Sequence, residues 1–382
     1  MSRNASVLLV TWDGAGNLPP ERSLARALIA RGHTVHALAH DSVRETLERD
    51  GAACLPLHGV RPYDSKQPMP PEEEMPFVLE HVWFARAFGS ELLAAVDRVR
   101  PDLLLIDVSL TQALVAARHA GLPTAVLCHV PYQLIVGPFA PLLDSRLNET
   151  NAYATELGLA PFPSHQALIE AARLVLVPSY RAFDPIEALA PNVTHVGPCR
   201  SRGEGREAWR RRSPGRPLVL VGLSTSHQNQ VPLLQRLCDG LGTPDVEALV
   251  TTGPAISPEL LRAAENTTVL RFVSHDDVLP SAALLVTHAG HGTVMAGVTY
   301  GVPMLCFPMG RDQPMIAERV AGLGVGAVGS PEASVSEIRR AIVAMLADAG
   351  IEKRAKAFAG SLLGHPGLDH ALESVEGLLS GG

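Results

Sequence analysis

The segment LLVTHAGHGTVMAGVTYGVPMLCFPMGRDQ, residues 284–313, decides the fold prediction. It opens with an apolar run, Leu284 to Thr287, which is typical of a buried parallel strand. A turn of small residues follows and leads into the apolar stretch 294–298, which we interpret as a helix. Such a turn presents backbone N–H groups at the positive end of a helix dipole, and this predicts a binding site for phosphate or another anion.

The composition of this turn suits an anion. Gly290 and Gly292 allow the backbone to approach a ligand without an intervening Cβ. His288 and Thr293 add side-chain donors. The turn therefore combines main-chain and side-chain groups for one ligand.

A second apolar run, Met304 to Phe307, predicts the next strand and leads to Asp312 and Gln313. Ligands of open α/β sheets bind beyond the carboxyl ends of the strands. We therefore expect the turn and the Asp312-Gln313 pair to serve the same ligand.

Three motifs in this order resemble a known signature: HAGHGT at 288–293, GVP at 301–303 and PxxxDQ at 308–313. They are similar to the donor-binding motifs of nucleotide-sugar glycosyltransferases of the GT-B kind. Within these, the chain looks most like the bacterial antibiotic and natural-product enzymes related to the UDP-glucuronosyltransferases (GT1). An ordinary glycine-rich turn of another α/β protein is the alternative reading of the same residues.

The resemblance implies an α/β fold in which two Rossmann-like domains face a cleft. The segment between the halves is charged, contains glycine and lacks periodicity, which is typical of a linker. The division expected is an acceptor-binding domain at 1–198, the linker at 199–215, a nucleotide-sugar-binding domain at 216–365, and a helix at 366–382 that packs back towards the first domain.

The resemblance also implies the residues that bind the donor. Hydroxyl residues lie next to the phosphates, His275 stands where relatives hold the nucleobase, and Asp312 and Gln313 match the pair that binds sugar hydroxyls. Plant-type relatives have a Glu on the ribose where this chain has Ala296, which favours a deoxyribose (dTDP) donor over UDP. The expected donor-binding residues are Ser224, Thr225, His275, His288, Gly290, His291, Gly292, Thr293, Asp312 and Gln313.

The first strand, Ser6 to Thr11, leads into the turn 12–20 and a helix, so the chain begins with a βαβ unit. The turn contains Gly14-Ala15-Gly16 but lacks the third glycine of a dinucleotide fingerprint, which argues against NAD. The resemblance places a general-base His in this turn, yet Asn17 occupies the position. An amide does not accept a proton at neutral pH.

Another group must then act as the base. Asp107 ends a predicted buried strand, and a buried carboxylate is expected to have a raised pKa. We expect Asp107 to contact Asn17 and rank it first, with Asp13 second and His129 third. The expected acceptor-binding residues are Trp12, Trp83, His129 and Tyr132.

Composition excludes several other classes of protein. The 382 residues are 46% hydrophobic and 19% charged, which is typical of a folded protein, and the net charge of −7 argues against nucleic-acid binding. No apolar run is long enough for a membrane span. Scattered cysteines and a first strand close to Met1 predict a cytoplasmic protein without metal or disulfides.

The function expected is an inverting, metal-independent transfer of a sugar from a nucleotide-sugar to a small natural-product acceptor, with no cofactor. Two alternatives stay open. One is an inert nucleotide-sugar-binding partner, suggested by Asn17, and the other is a nucleotide-sugar epimerase on the same scaffold. The acceptor, the bond type and a homodimer are also left open.

Overall fold

The computed structural model describes residues 4–200, 209–362 and 367–380. Its contacts divide the chain into two units. The first comprises Met1–Asp64, Met69–Arg200 and His365–Gly382, and the second Ser65–Pro68 and Ser201–Gly364. Residues 201–208 of the predicted linker and the predicted boundary at 365–366 lie outside the described residues.

Within the described residues, the first unit is built on a seven-stranded parallel sheet in the order β3-β2-β1-β4-β5-β6-β7. Its strands are β1 (Ser6–Val10), β2 (Thr34–Leu38), β3 (Ala53–Leu55), β4 (Leu103–Asp107), β5 (Thr124–Leu127), β6 (Leu174–Val177) and β7 (Val193–His195). Its helices up to β7 are α1 (Leu18–Ala30), α2 (Asp41–Arg49), α3 (Pro71–Val78), α4 (Arg86–Val99), α5 (Thr111–Ala120), α6 (Tyr132–Val136), α7 (Ala140–Asp144), α8 (Leu147–Glu156) and α9 (His165–Glu170).

The second unit has a six-stranded parallel sheet in its described part, in the order β10-β9-β8-β11-β12-β13. The strands are β8 (Leu218–Gly222), β9 (Glu247–Thr251), β10 (Thr267–Leu270), β11 (Leu284–Thr287), β12 (Met304–Cys306) and β13 (Gly326–Val328). The helices are α10 (Val231–Leu241), α11 (His275–Val278), α12 (His291–Tyr300), α13 (Gln313–Gly322), α14 (Val335–Ala347) and α15 (Ala349–Ser361).

The last helix, α16 (Leu368–Ser380), belongs to the first unit. Its buried residues Ala371, Leu372 and Val375 join the core cluster that includes Leu24 and Leu28 of α1. The apolar spacing of α16 matches one face of a helix, and burying that face provides the reason for its position.

Residues 77–99 do not form one continuous helix. A π-helical turn, Leu79–Trp83, follows α3, and the chain leaves helical geometry before α4 begins. Pro76 lies inside α3 and lacks the N–H that a regular helix needs, which weakens helical hydrogen bonding at this point. Trp83 is therefore the last residue of an irregular turn.

Candidate active site

Asp107 is the last residue of β4 and is completely buried. Its Oδ1 accepts hydrogen bonds from Trp12 Nε1 at 3.0 Å and from the Ser109 N–H at 2.9 Å. Its Oδ2 lies 2.6 Å from Nδ1 of His129. Both oxygens of the carboxylate are thus held in fixed directions.

His129 reaches Asp107 because of the sheet register. β4 and β5 are parallel neighbours in which Asp107 lies opposite Leu127, and His129 follows two residues later. The carboxylate fixes the tautomer with the proton on Nδ1, so Nε2 is the basic nitrogen of the neutral ring. The side chain of His129 is 14% exposed, whereas that of Asp107 is 0% exposed.

The raised pKa expected for Asp107 is wrong. Burial alone would raise it, but the charge and hydrogen bond of His129 and the Ser109 N–H together bring the pKa below its ordinary value. Asp107 is therefore an anion at neutral pH and accepts a proton poorly. It is better suited to orient His129 and to stabilise that ring when protonated.

Asn17, which we expected to contact Asp107, directs its side-chain hydrogen bonds to other groups. Asn17 precedes α1 and is fully buried. Its Nδ2 donates to Thr11 Oγ1 at 3.1 Å and to the Trp12 carbonyl at 3.0 Å. Asn17 therefore fastens the turn after β1 to the strand itself.

Asp13, the second candidate base, is 1% exposed in the same turn. Its backbone N–H donates to Nδ1 of His40 at 3.4 Å. Burial lowers the pKa of His40, and the charge of Asp13 opposes this shift. Asp13 therefore lies beside a buried imidazole, and its role as a base stays a prediction.

The predicted acceptor residues fall into two groups. Trp12 and Trp83 pack edge to face with ring centroids 6.1 Å apart, so an aromatic surface adjoins Asp107. Tyr132 instead is 1% exposed, and its hydroxyl donates to Glu170 Oε1 at 2.8 Å. This position in the core makes the expected acceptor contact of Tyr132 wrong.

In the second unit, the turn of 288–290 joins β11 to α12, and Gly290 is the residue before the helix. A Cβ added to Gly290 would lie 2.5 Å from Nε2 of His288, so a side chain at this position would displace the His288 ring. A Cβ on Gly292 would meet no described atom within 4 Å. Gly292 therefore leaves open space at the first turn of α12, where N–H groups lack helical partners.

His288 is neutral in this environment. Burial lowers its pKa to about 4, and Arg311 and His275 act in the same direction. At neutral pH His288 can thus offer a hydrogen bond but no charge. The expected contribution of His288 to an anion site is limited to a neutral group.

The other predicted donor residues lie in loops at the same edge of the sheet. Ser224 follows β8, is buried, and shares a hydrogen bond of 2.8 Å with Ser226. Thr225 between them is exposed. His275 is the first residue of α11, and its ring lies next to Gly222. A Cβ added to Gly222 would be 3.0 Å from Nε2 of His275.

The Asp312-Gln313 pair starts α13, and Asp312 forms no side-chain hydrogen bond that caps the helix. Gln313 is 3% exposed, and its Oε1 accepts from the Met309 N–H at 2.8 Å. Its Nε2 donates to Gln228 Oε1 at 3.0 Å. Gln313 therefore helps to shape the loop, and the sugar contacts of the pair stay a prediction.

Comparison with known proteins finds relatives over nearly the whole chain. Residues 235–376 match a family model described as erythromycin biosynthesis protein CIII-like, C-terminal domain. The demethyllactenocin mycarosyltransferase of Streptomyces fradiae is 29% identical, over 99% of this chain and 87% of its own length.

Among solved structures, the glycotransferase of kitacinnamycin is 26% identical with a TM-score of 0.80, covering 99% of this chain and 100% of its own. The chain is a glycosyltransferase of the GT-B fold. The spinosyn rhamnosyltransferase SpnG complexed with thymidine diphosphate shares the fold at 19% identity, with a TM-score of 0.71 over 97% of this chain and 100% of its own. The fold class and the resemblance to bacterial natural-product glycosyltransferases, both predicted from the 288–313 motifs, are confirmed.

Two residues of this glycosyltransferase were missed in the sequence. Glu21 of α1 is completely buried, and its Oε2 accepts hydrogen bonds from Thr11 and Asn17. Burial and the negative charge of Asp107 raise its pKa well above the ordinary value, which favours the protonated form of Glu21. The spacing of Glu21, Leu24 and Leu28 puts all three on one face of the helix, and this pattern could have indicated that Glu21 is buried.

The second is Arg311, in the loop between β12 and α13. Its Nη1 donates to Ser226 Oγ at 3.2 Å. The sequence motif includes this position only as a variable residue, so no signal singled it out. Arg311 places a full positive charge beside the predicted donor residues of the glycosyltransferase.

No helix in the described ranges is both long and apolar enough to cross a membrane. In the same ranges, no group of three or more His, Cys, Asp or Glu side chains is arranged to hold a metal ion.

Proposed function

We propose that this glycosyltransferase transfers a sugar from a dTDP-sugar to a small natural-product acceptor by an inverting, metal-independent reaction, with His129 as the general base. The observation that supports this is the hydrogen-bonded pair of His129 and Asp107. It supplies the base that Asn17 cannot provide. It also favours an active enzyme over an inert partner protein.

In the proposed reaction, Nε2 of His129 removes the proton of the acceptor hydroxyl as its oxygen attacks C1 of the sugar. The bond between C1 and the diphosphate oxygen breaks, and its electron pair stays on the diphosphate. Asp107 remains ionised and stabilises the imidazolium that forms. A single displacement of this kind inverts the configuration at C1.

The donor side is proposed to work through the first turn of α12. Its N–H groups and helix dipole face the diphosphate and favour the charge that develops there. One helix end contributes about 0.3–2 kcal/mol, so several donors must act together. Gly292 leaves room for this approach.

The preference for dTDP rests on position 296. Ala296 is 2% exposed in α12 and has no group that could bond to a ribose hydroxyl. A deoxyribose lacks one of these hydroxyls and loses less by this replacement. The spinosyn rhamnosyltransferase structure, which contains thymidine diphosphate, is consistent with this choice.

Calorimetric titration with dTDP, UDP and GDP tests the donor. We expect dTDP to bind most tightly. Tighter binding of UDP would contradict the deoxyribose argument but not the transferase. No binding by any of the three would contradict the assignment of the donor site. The same titration with EDTA present should be unchanged if no metal takes part.

Hydrolysis of dTDP-glucose tests the general base although the acceptor is not known, because water takes the place of the acceptor as the nucleophile. We expect His129→Gln to lower the hydrolysis rate by about 10²-fold or more with unchanged affinity for dTDP. His119→Gln, which changes an exposed histidine of the same unit, is the matched control. Equal rates in both variants would contradict the role of His129.

The anomer released first tests the stereochemistry. NMR should detect β-glucose before mutarotation when the donor is the α-linked sugar nucleotide. Release of α-glucose would contradict inversion, and conversion to an epimeric sugar nucleotide would support the epimerase instead.

A further inference from the structure

The loop after β12 holds Arg311 in an unusual conformation. Its φ is +56°, in the left-handed region, and Gly310 before it has a φ of +136°. A side chain other than glycine rarely adopts this region, and such strain is concentrated at ligand-binding positions. The loop thus directs the Arg311 side chain at some conformational cost.

Arg311 joins the loops on either side of the anion-binding turn. β8 and β12 are the two neighbours of β11 in the sheet, and all three are parallel. The Arg311–Ser226 bond of 3.2 Å links the loop after β12 to the loop after β8, and the Gln313–Gln228 bond of 3.0 Å does the same. Between these loops, β11 ends and its turn leads to α12.

The charge of Arg311 acts on this turn. Among the causes of the lowered pKa of His288, the charge of Arg311 ranks second to burial, so the electric field of the guanidinium reaches the turn. His288 itself stays neutral. A guanidinium has a fixed charge and donors that match phosphate oxygens, which gives Arg311 what His288 lacks.

We propose that Arg311 contacts the diphosphate of the nucleotide-sugar and compensates the charge it gains when the bond to C1 breaks. Ser226 keeps the guanidinium in place before the donor binds. This proposal rests on the proposed function, in which the turn of 288–290 and α12 bind that diphosphate. It adds a charged residue that the motif comparison does not assign.

The test is the affinity for thymidine, dTMP and dTDP, measured by calorimetry on the full chain and two variants. We expect Arg311→Gln to weaken dTDP binding by about 10- to 100-fold, as the loss of a charged hydrogen bond implies. Binding of thymidine should be unchanged, so the preference for dTDP over thymidine shrinks. Arg340→Gln removes the same charge from an exposed position of α14 and should change neither.

Arg311→Lys separates a ligand contact from loop support. Lysine keeps the charge but not the planar donors, so dTDP affinity should fall between the wild type and the Gln variant. A preference for dTDP over thymidine that is unchanged in Arg311→Gln would overturn the inference while leaving the proposed function intact. Absence of nucleotide binding by the wild type would overturn the proposed function itself.

Discussion

Gly292→Ala is expected to change stability and donor binding in opposite directions. An added Cβ meets no described atom within 4 Å, so the protein itself accommodates it. Alanine also reduces the freedom of the unfolded chain, which raises the free energy of unfolding by about 0.4–1 kcal/mol. By packing alone, the substitution should therefore stabilise the protein.

The same methyl group occupies the space that we assign to the diphosphate. If it displaces the donor enough to lose one charged hydrogen bond, binding weakens by about 1.5–3 kcal/mol. Since about 1.4 kcal/mol corresponds to a factor of ten, the Kd for dTDP should rise by about 10- to 100-fold.

Urea unfolding and calorimetric titration with dTDP measure the two effects. Gly360→Ala is the control, because Gly360 lies near the end of α15 and its Cβ would also meet nothing within 4 Å. We expect that control to gain stability without loss of dTDP affinity. If Gly292→Ala binds dTDP as tightly as the wild type, the diphosphate does not approach the first turn of α12.

Three further substitutions test residues near Asp107 in the first unit and the turn after β11 in the second unit. The pKa of Glu21 is raised well above 4.5, so above pH 4.5 the folded state binds more protons than the unfolded state and the free energy of unfolding falls as pH rises. In urea unfolding at several pH values, Glu21→Gln should make this fall smaller. Trp12→Phe removes a donor to buried Asp107 and should lower stability by about 1–3 kcal/mol, and slow dTDP-glucose hydrolysis without changing dTDP affinity. The pKa of His288 is lowered from 6.5 to about 4, so the unfolded state takes up a proton at a higher pH than the folded state. The free energy of unfolding therefore falls as pH drops from 6.5 towards 4, and His288→Gln should reduce that fall between pH 7 and pH 5.

Much of the fold could be predicted because its signals are contiguous in the chain. The strand Leu284–Thr287 has the bounds expected from its apolar run. The strands Ala53–Leu55 and Gly326–Val328 were not predicted. The anion-binding turn could be predicted in the same way as the strand before it, because its residues are consecutive in the sequence.

The region around Asp107 could not be predicted in this way, because its contacts depend on which strands are neighbours. The sequence places Asp107 and His129 at strand ends but does not show that these strands pair. It also does not show that Trp12 folds back to bond the same carboxylate. The pKa of Asp107 follows from these contacts, which is why the expectation based on burial alone had the wrong direction.

The order of the strands explains how a base can approach Asp107 from the β5 side instead of from the β1 side, where Asn17 lies. β1 and β5 are the two neighbours of β4, so a histidine after either strand can approach the Asp107 carboxylate. In this chain the β5 side provides His129, while on the β1 side Trp12 bonds Oδ1 and Asn17 is buried against Thr11 and the Trp12 carbonyl.

A histidine at position 17 would therefore find Oδ1 already engaged and no space prepared for its ring. We expect Asn17→His to leave the His129→Gln variant inactive in dTDP-glucose hydrolysis. The combination Asn17→His, Trp12→Phe and His129→Gln would free Oδ1 and is the variant in which activity can return. Recovery of hydrolysis in the Asn17→His, His129→Gln double variant would show that Trp12 does not exclude a base from that side, and the reasoning from strand order would fail.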